Sequence, residues 1–105
     1  MSEVDSKIIE KIKNFALELE KENIRVQQLY LFGSYAKSEN GKFSDIDLAV
    51  VSDDFSGIRF NDYDKFISSI LKIDRSIEPI AFRMQDTYED LFFINEVQKK
   101  GIRII

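Results

Sequence analysis

The 105-residue sequence contains neither cysteine nor histidine. Disulfides are therefore excluded, as are thiolate and imidazole metal sites and the Ser-His-Asp and Cys-His nucleophile systems. Any catalysis has to run on carboxylates, hydroxyls, lysines, arginines and a hard cation with oxygen ligands, which among the common metals points to Mg²⁺ or Mn²⁺. Long apolar runs are missing too. Leu48-Ala49-Val50-Val51 and Leu91-Phe92-Phe93-Ile94 are among the longest, far too short to span a membrane. The opening Met-Ser-Glu-Val-Asp is polar and partly acidic, unlike a signal peptide, so a cytoplasmic location is expected. Positive charge is in deficit, with 15 Lys and Arg against 19 Asp and Glu and a net charge of −4. That balance argues against a protein that grips nucleic acid through its phosphates.

What is present suffices for a core. Hydrophobic residues make up 44% of the chain, and nine phenylalanines supply bulk in place of the absent tryptophan. The length matches one domain, expected over residues 1–105, and leaves little room for a separate substrate-binding module.

Periodicity sets the expected elements. Ile8, Ile9, Ile12, Phe15, Ala16 and Leu19 recur at helical spacing behind an N-cap at Asp5 or Ser6, and the pattern ends at Asn23. Residues 26–32 read as a strand, interrupted by Gly33 and Ser34. Tyr35-Ala36-Lys37-Ser38 reads as about one helical turn, before a polar loop through Lys42. Residues 45–51 read as a second strand and 52–57 as a connection. A second long helix is expected to start at Asn61 or Asp62, with Tyr63, Phe66, Ile67, Ile70 and Leu71 on its apolar side. Residues 76–82 read as a third strand, which Pro79 marks as an edge strand or a bulged one, because proline cannot donate to a ladder. A third helix from Asp86 or Thr87 to Lys99 or Lys100, ended by Gly101, precedes a short last strand over 102–105. The order implies an α/β (α+β) domain with a small sheet.

Asp45 and Asp47 are the informative pair. Side chains at i and i+2 of a strand share a face, so Ile46 and Leu48 turn into the core while the two carboxylates stand together. Like charges on one face repel, and a divalent cation between them removes the repulsion. A solvated strand end is the plain alternative. Gly33-Ser34 follows an apolar strand, where glycine lets backbone amides approach a phosphate and Ser34 adds a hydroxyl donor. Lys37, three residues on, is within reach of the same anion or is simply an exposed lysine. Glu78, in the middle of the third strand, offers a third metal ligand or a base for an acceptor hydroxyl; the alternative is an outward-facing glutamate.

The stretch Leu31-Phe32-Gly33-Ser34-Tyr35-Ala36-Lys37, followed by Ser44-Asp45-Ile46-Asp47-Leu48-Ala49-Val50, resembles the minimal nucleotidyltransferases of the DNA polymerase β-like superfamily. Their signature is Gly-Ser, ten residues, then Asp-x-Asp, and here Tyr35 to Ser44 supply the ten. The resemblance covers nearly the whole chain. It implies a small mixed sheet flanked by helices, with Gly33 and Ser34 at the triphosphate of ATP. It also implies that Asp45 and Asp47 hold two Mg²⁺, with Glu78 as the third carboxylate. Many relatives carry a glycine after the basic residue of the short helix, where this chain has Ser38.

The chain is also similar to the short members paired with a HEPN-domain protein in two-gene toxin–antitoxin systems. That similarity implies an antitoxin that transfers AMP to a tyrosine of the toxin. Two rivals stand beside it: an antitoxin that neutralises its partner by binding alone, and a transferase acting on a small molecule such as an aminoglycoside. A metal-binding structural domain would leave Gly33-Ser34 unexplained. The last helix, with Tyr88, Leu91, Phe92, Phe93, Ile94 and Val97, is apolar around much of its circumference. It is expected to be buried in the core, with a docking patch as the alternative.

Overall fold

A computed structural model of the chain describes residues 5–36 and 45–105. Helix α1 spans Ser6–Lys21 and turns Ile12, Phe15, Ala16 and Leu19 inward. Its start is capped by the Asp5 side chain, which accepts from the Lys7 amide at 2.8 Å. Its end is a left-handed residue, Asn23 at φ 65°. The Ile24 amide donates to the Leu19 carbonyl and the Asn23 amide to the Glu20 carbonyl, the paired bonds that stop a helix cleanly.

Among the described residues four strands follow: β1 (Gln28–Phe32), β2 (Ile46–Val51), β3 (Ile77–Phe82) and β4 (Ile102–Arg103). They form one mixed sheet in the order β3-β2-β1-β4. Strand β1 is antiparallel to β2 and β4, whereas β2 and β3 run parallel. The parallel pair requires a crossover, and the helical segments between β2 and β3 supply it. Pro79 sits on β3, an edge of the sheet, as its missing N–H demands.

Strand alternation divides the core in two. Leu29, Leu31, Ile46, Leu48, Val50, Ile77 and Ala81 face α1 and the crossover, where they pack with Phe15, Phe55 and Phe66. Phe66 lies between Phe15 and Phe55, with ring centroids at 6.2 and 5.3 Å. Tyr30, Phe32, Ala49, Val51 and Phe82 occupy the other face under Phe93 and Val97.

Two helices differ from their sequence expectation. The crossover begins at Arg59, earlier than Asn61 or Asp62, and is broken into α2 (Arg59–Tyr63), a 3₁₀ turn (Asp64–Phe66) and α3 (Ile67–Ile73). Asp62 does not cap it. Only 1% exposed, its carboxylate instead reaches back to accept from the amides of Ser56 and Gly57 at 2.8 and 3.1 Å, and it pairs with Lys65. Burial alone would raise its pKa, but the donors from Ser56 and Lys65 outweigh burial and hold it below the ordinary carboxylate range.

The expected helix 86–100 is likewise two pieces. Helix α4 (Asp86–Glu89) ends where Asp90 turns extended, and after two helical residues, Leu91 and Phe92, the chain widens into a π-helix over Phe93–Gln98. The Asp90 side chain accepts from the Phe93 amide at 3.0 Å and pairs with Arg59 at 2.8 Å, so tertiary contacts set the break. Gly101 does follow this segment, but without a left-handed φ. A Cβ there would meet the Val97 carbonyl and lie 2.9 Å from the Leu31 carbonyl, so close backbone approach is what requires glycine. Burial of this segment is split: Phe93 and Val97 are enclosed, whereas Tyr88, Leu91 and Phe92 are exposed. Among the described residues, no helix is long and apolar enough to cross a membrane.

Candidate active site

Asp47 lies on β2 directly opposite Phe32 of β1 on one side and Glu78 of β3 on the other. Register partners share a face, so the Asp47 and Glu78 side chains stand next to each other on adjacent parallel strands. Asp45, two residues before Asp47 and just outside the strand, has the same parity. Three carboxylates thus gather at one end of one sheet face. Asp45 and Glu78 are exposed; Asp47 is half-buried.

Gly33 and Ser34 form the turn that leaves β1 beside Asp47. Gly33 has φ 74°, a conformation that side chains rarely adopt. A Cβ at this position would meet Oδ2 of Asp47 and lie 3.2 Å from its Cγ. Glycine is therefore required twice, by backbone conformation and by the carboxylate against it. Lys37, the third phosphate ligand expected from the sequence, lies outside the described residues, as do Lys42 and Ser44.

Electrostatics single out Asp47. Burial, then the charge of Asp45, then that of Glu78 push its pKa above the ordinary carboxylate value. Partial burial of a carboxylate among others is costly unless a cation joins them. The donor set is all oxygen, which suits a hard divalent cation. Among the described residues, no group of three carboxylates converges tightly enough to hold a metal as it stands.

Residues 9–104 match the family model described as "Nucleotidyltransferase domain". The chain belongs to the nucleotidyltransferase-domain family. Its fold is shared by solved structures. One is a toxin–antitoxin complex with AMP-PNP, 26% identical, with a TM-score of 0.54 and coverage of 92% of this chain and 72% of that one. A second, described as a candidate nucleotidyltransferase from Sulfolobus solfataricus, is 20% identical with a TM-score of 0.57, covering 98% of this chain and 89% of that one. A third, a mutant of the MntA–HpeT toxin–antitoxin, is 24% identical with a TM-score of 0.53, covering 90% and 72%. No curated protein sequence matches the chain.

In a nucleotidyltransferase the end of the sheet where a glycine turn meets carboxylates can take a metal-bound triphosphate, the turn facing the phosphates and the acids facing the cation. The sequence pointed to Gly33, Ser34, Asp45, Asp47 and Glu78, and the fold brings Glu78 beside Asp47. It left out Phe32, which faces Asp47 across the strands and carries Phe92 against it, the ring centroids 5.8 Å apart. The available signal was Phe32's position immediately before Gly33.

Proposed function

We propose that this single domain, residues 1–105, is a Mg²⁺-dependent nucleotidyltransferase that moves AMP from ATP to a hydroxyl on a partner protein. The acceptor is a tyrosine of a HEPN-type toxin, and the chain acts as the antitoxin in the cytoplasm. The observation that carries this reading is the Asp47–Glu78 register pair, with Asp45 on the same face and Gly33 against Asp47. Two of the similar solved structures are toxin–antitoxin complexes, one of them with AMP-PNP, which favours a toxin partner and an adenine nucleotide.

In this reading Asp45, Asp47 and Glu78 hold the cation, two Mg²⁺ or Mn²⁺ in the same places. A cation held there would supply charge neutralisation at the α-phosphate and the departing pyrophosphate. The Gly33 turn and the Ser34 hydroxyl donate to the triphosphate, with Lys37 adding a cation. In the same reading Glu78, an exposed acid on the edge strand, takes the proton of the acceptor hydroxyl. The acceptor oxygen forms its bond to the α-phosphorus as the bond to pyrophosphate breaks. The acidic balance of the chain favours a protein acceptor over a polynucleotide.

The test is labelling with ATP carrying a radioactive α-phosphate, with Mg²⁺, in lysate of the source cell. Wild type should label one protein, and Asp45→Asn/Asp47→Asn should lower that label by at least about 100-fold while melting as a folded protein. Undiminished labelling by the double variant would sink the mechanism. Toxin neutralisation that survives in the double variant, with no nucleotide mass on the toxin, would identify an antitoxin that works by binding alone. Labelling of no protein, joined to drug resistance in an expressing strain, would point to a small-molecule acceptor.

A further inference from the structure

A nucleotide whose triphosphate lies at the Gly33 turn has to put its flat, uncharged base somewhere within one nucleotide's length. The carboxylate end of the sheet is a poor place for it, because that surface is charged. A base needs an exposed ring or an apolar wall.

The exposed aromatic residues among those described include Phe60, Tyr63, Tyr88 and Phe92. Phe92 is the one in ring contact with the site: it meets Phe32 at 5.8 Å and an interplanar angle of 81°. Phe32 in turn precedes Gly33 and lies opposite Asp47. The perpendicular contact leaves the rings only partly covering each other, and Phe92 remains 42% exposed while Phe32 is buried. Phe92 is also held in position. Its neighbour Phe93 is buried against Tyr30 and Phe82, at 5.4 and 5.0 Å, and the Asp90 side chain accepts from the Phe93 amide. A half-exposed ring on a fixed backbone loses little freedom when a second flat group stacks on it.

We propose that Phe92 is the stacking platform for the nucleobase. The inference rests on the transferase reading above and deepens it, because it says how the base is recognised. Stacking reads the face of a base and not its hydrogen-bonding edge, so it predicts little discrimination between adenine and guanine. The rival position is a groove of about 250 Å³ along the outer edge of β3, lined in part by Arg59, Tyr63 and Ile80.

Calorimetry on the full chain with Mg²⁺ tests this, using ATP, GTP and inorganic tripolyphosphate as probes. Phe92→Ala should weaken ATP and GTP alike by about tenfold and leave tripolyphosphate unchanged. Phe92→Trp should bind both nucleotides at least as tightly as wild type, and Tyr63→Ala should match wild type. Equal loss of tripolyphosphate in Phe92→Ala would overturn the proposal, because the ring would then only be shaping the Gly33 turn. Loss in Tyr63→Ala but not in Phe92→Ala would overturn it in favour of the β3 groove. A wild type that binds neither ATP nor tripolyphosphate would sink the transferase reading and this inference together. Wild-type binding with no effect of Phe92→Ala would sink the inference alone.

Discussion

The two faces of the sheet are cut from the same alternating strands, yet they are finished differently. The face toward α1 is apolar from end to end, with Leu29, Leu31, Leu48, Val50 and Ile77 all enclosed. The opposite face is apolar under Phe93 and Val97, but at the end near Gly33 Asp47 and Glu78 stand beside the buried Phe32. Within β2, Leu48 is fully buried while Asp47 keeps its carboxylate near two others. One face holds the fold together. The other accepts an electrostatic cost at one end, the kind of local conflict that marks functional positions.

The contrast breaks most sharply on the packed face. Phe66 is wholly buried against Phe15, Phe55 and Tyr63. Phe66→Ala should cost about 3–5 kcal/mol in a denaturant titration, and any lost activity should track the unfolded fraction. A small loss of stability would mean that this face is less tightly built than its enclosure implies.

A polar tie at the rim of the same face is worth less. Asp74, where α3 gives way to β3, accepts from Ser76 and pairs with Lys11 of α1. Burial works against its charged form, but Lys11 and Ser76 together lower its pKa from 3.8 to about 2. A depressed carboxyl contributes stability that is complete above its unfolded value and lost as pH falls through the folded one. Thermal melts should therefore show about 1 kcal/mol, after allowance for solvent screening, disappearing between pH 4 and pH 2. Lys11→Met should remove most of that dependence; an unchanged acid profile would show that the pair contributes nothing.

On the carboxylate face the sign reverses. Burial, Asp45 and Glu78 raise the Asp47 pKa, so its ionisation opposes folding: that stability is present at low pH and lost as pH rises through the raised value. In metal-free protein at neutral pH, Asp47→Asn should raise stability by about 0.5 kcal/mol, read as a melting temperature a few degrees higher. A lower melting temperature would mean that Asp47 supports the fold, and the distinction between the faces would blur.

Much of this was legible from local pattern. The α1 stripe and the edge position of Pro79 follow from helical period and a missing donor, which neighbouring residues alone express. The shared face of Asp45 and Asp47 follows from strand parity. Other features depended on distant partners. Asp62 looked like a helix cap, yet it anchors the loop before its helix, because Ser56 and Gly57 return to it with unpaired amides. The apolar residues spread around the last helix gave no sign of its break, which Asp90 makes with Arg59 from the crossover.

Local sequence carries the candidate chemistry: no thiol or imidazole, and a Gly33-Ser34 turn separated by ten residues from Asp45, which strand parity sets on one face with Asp47. These are short-range properties, set by residue type and by the two-residue period of a strand. Tertiary structure alone decided that β3 lies parallel to β2 in the register that puts Glu78 beside Asp47, and that Phe92 rests on Phe32. Register between strands far apart in sequence is chosen by which apolar faces can be buried together, a property of the whole core that no local window contains.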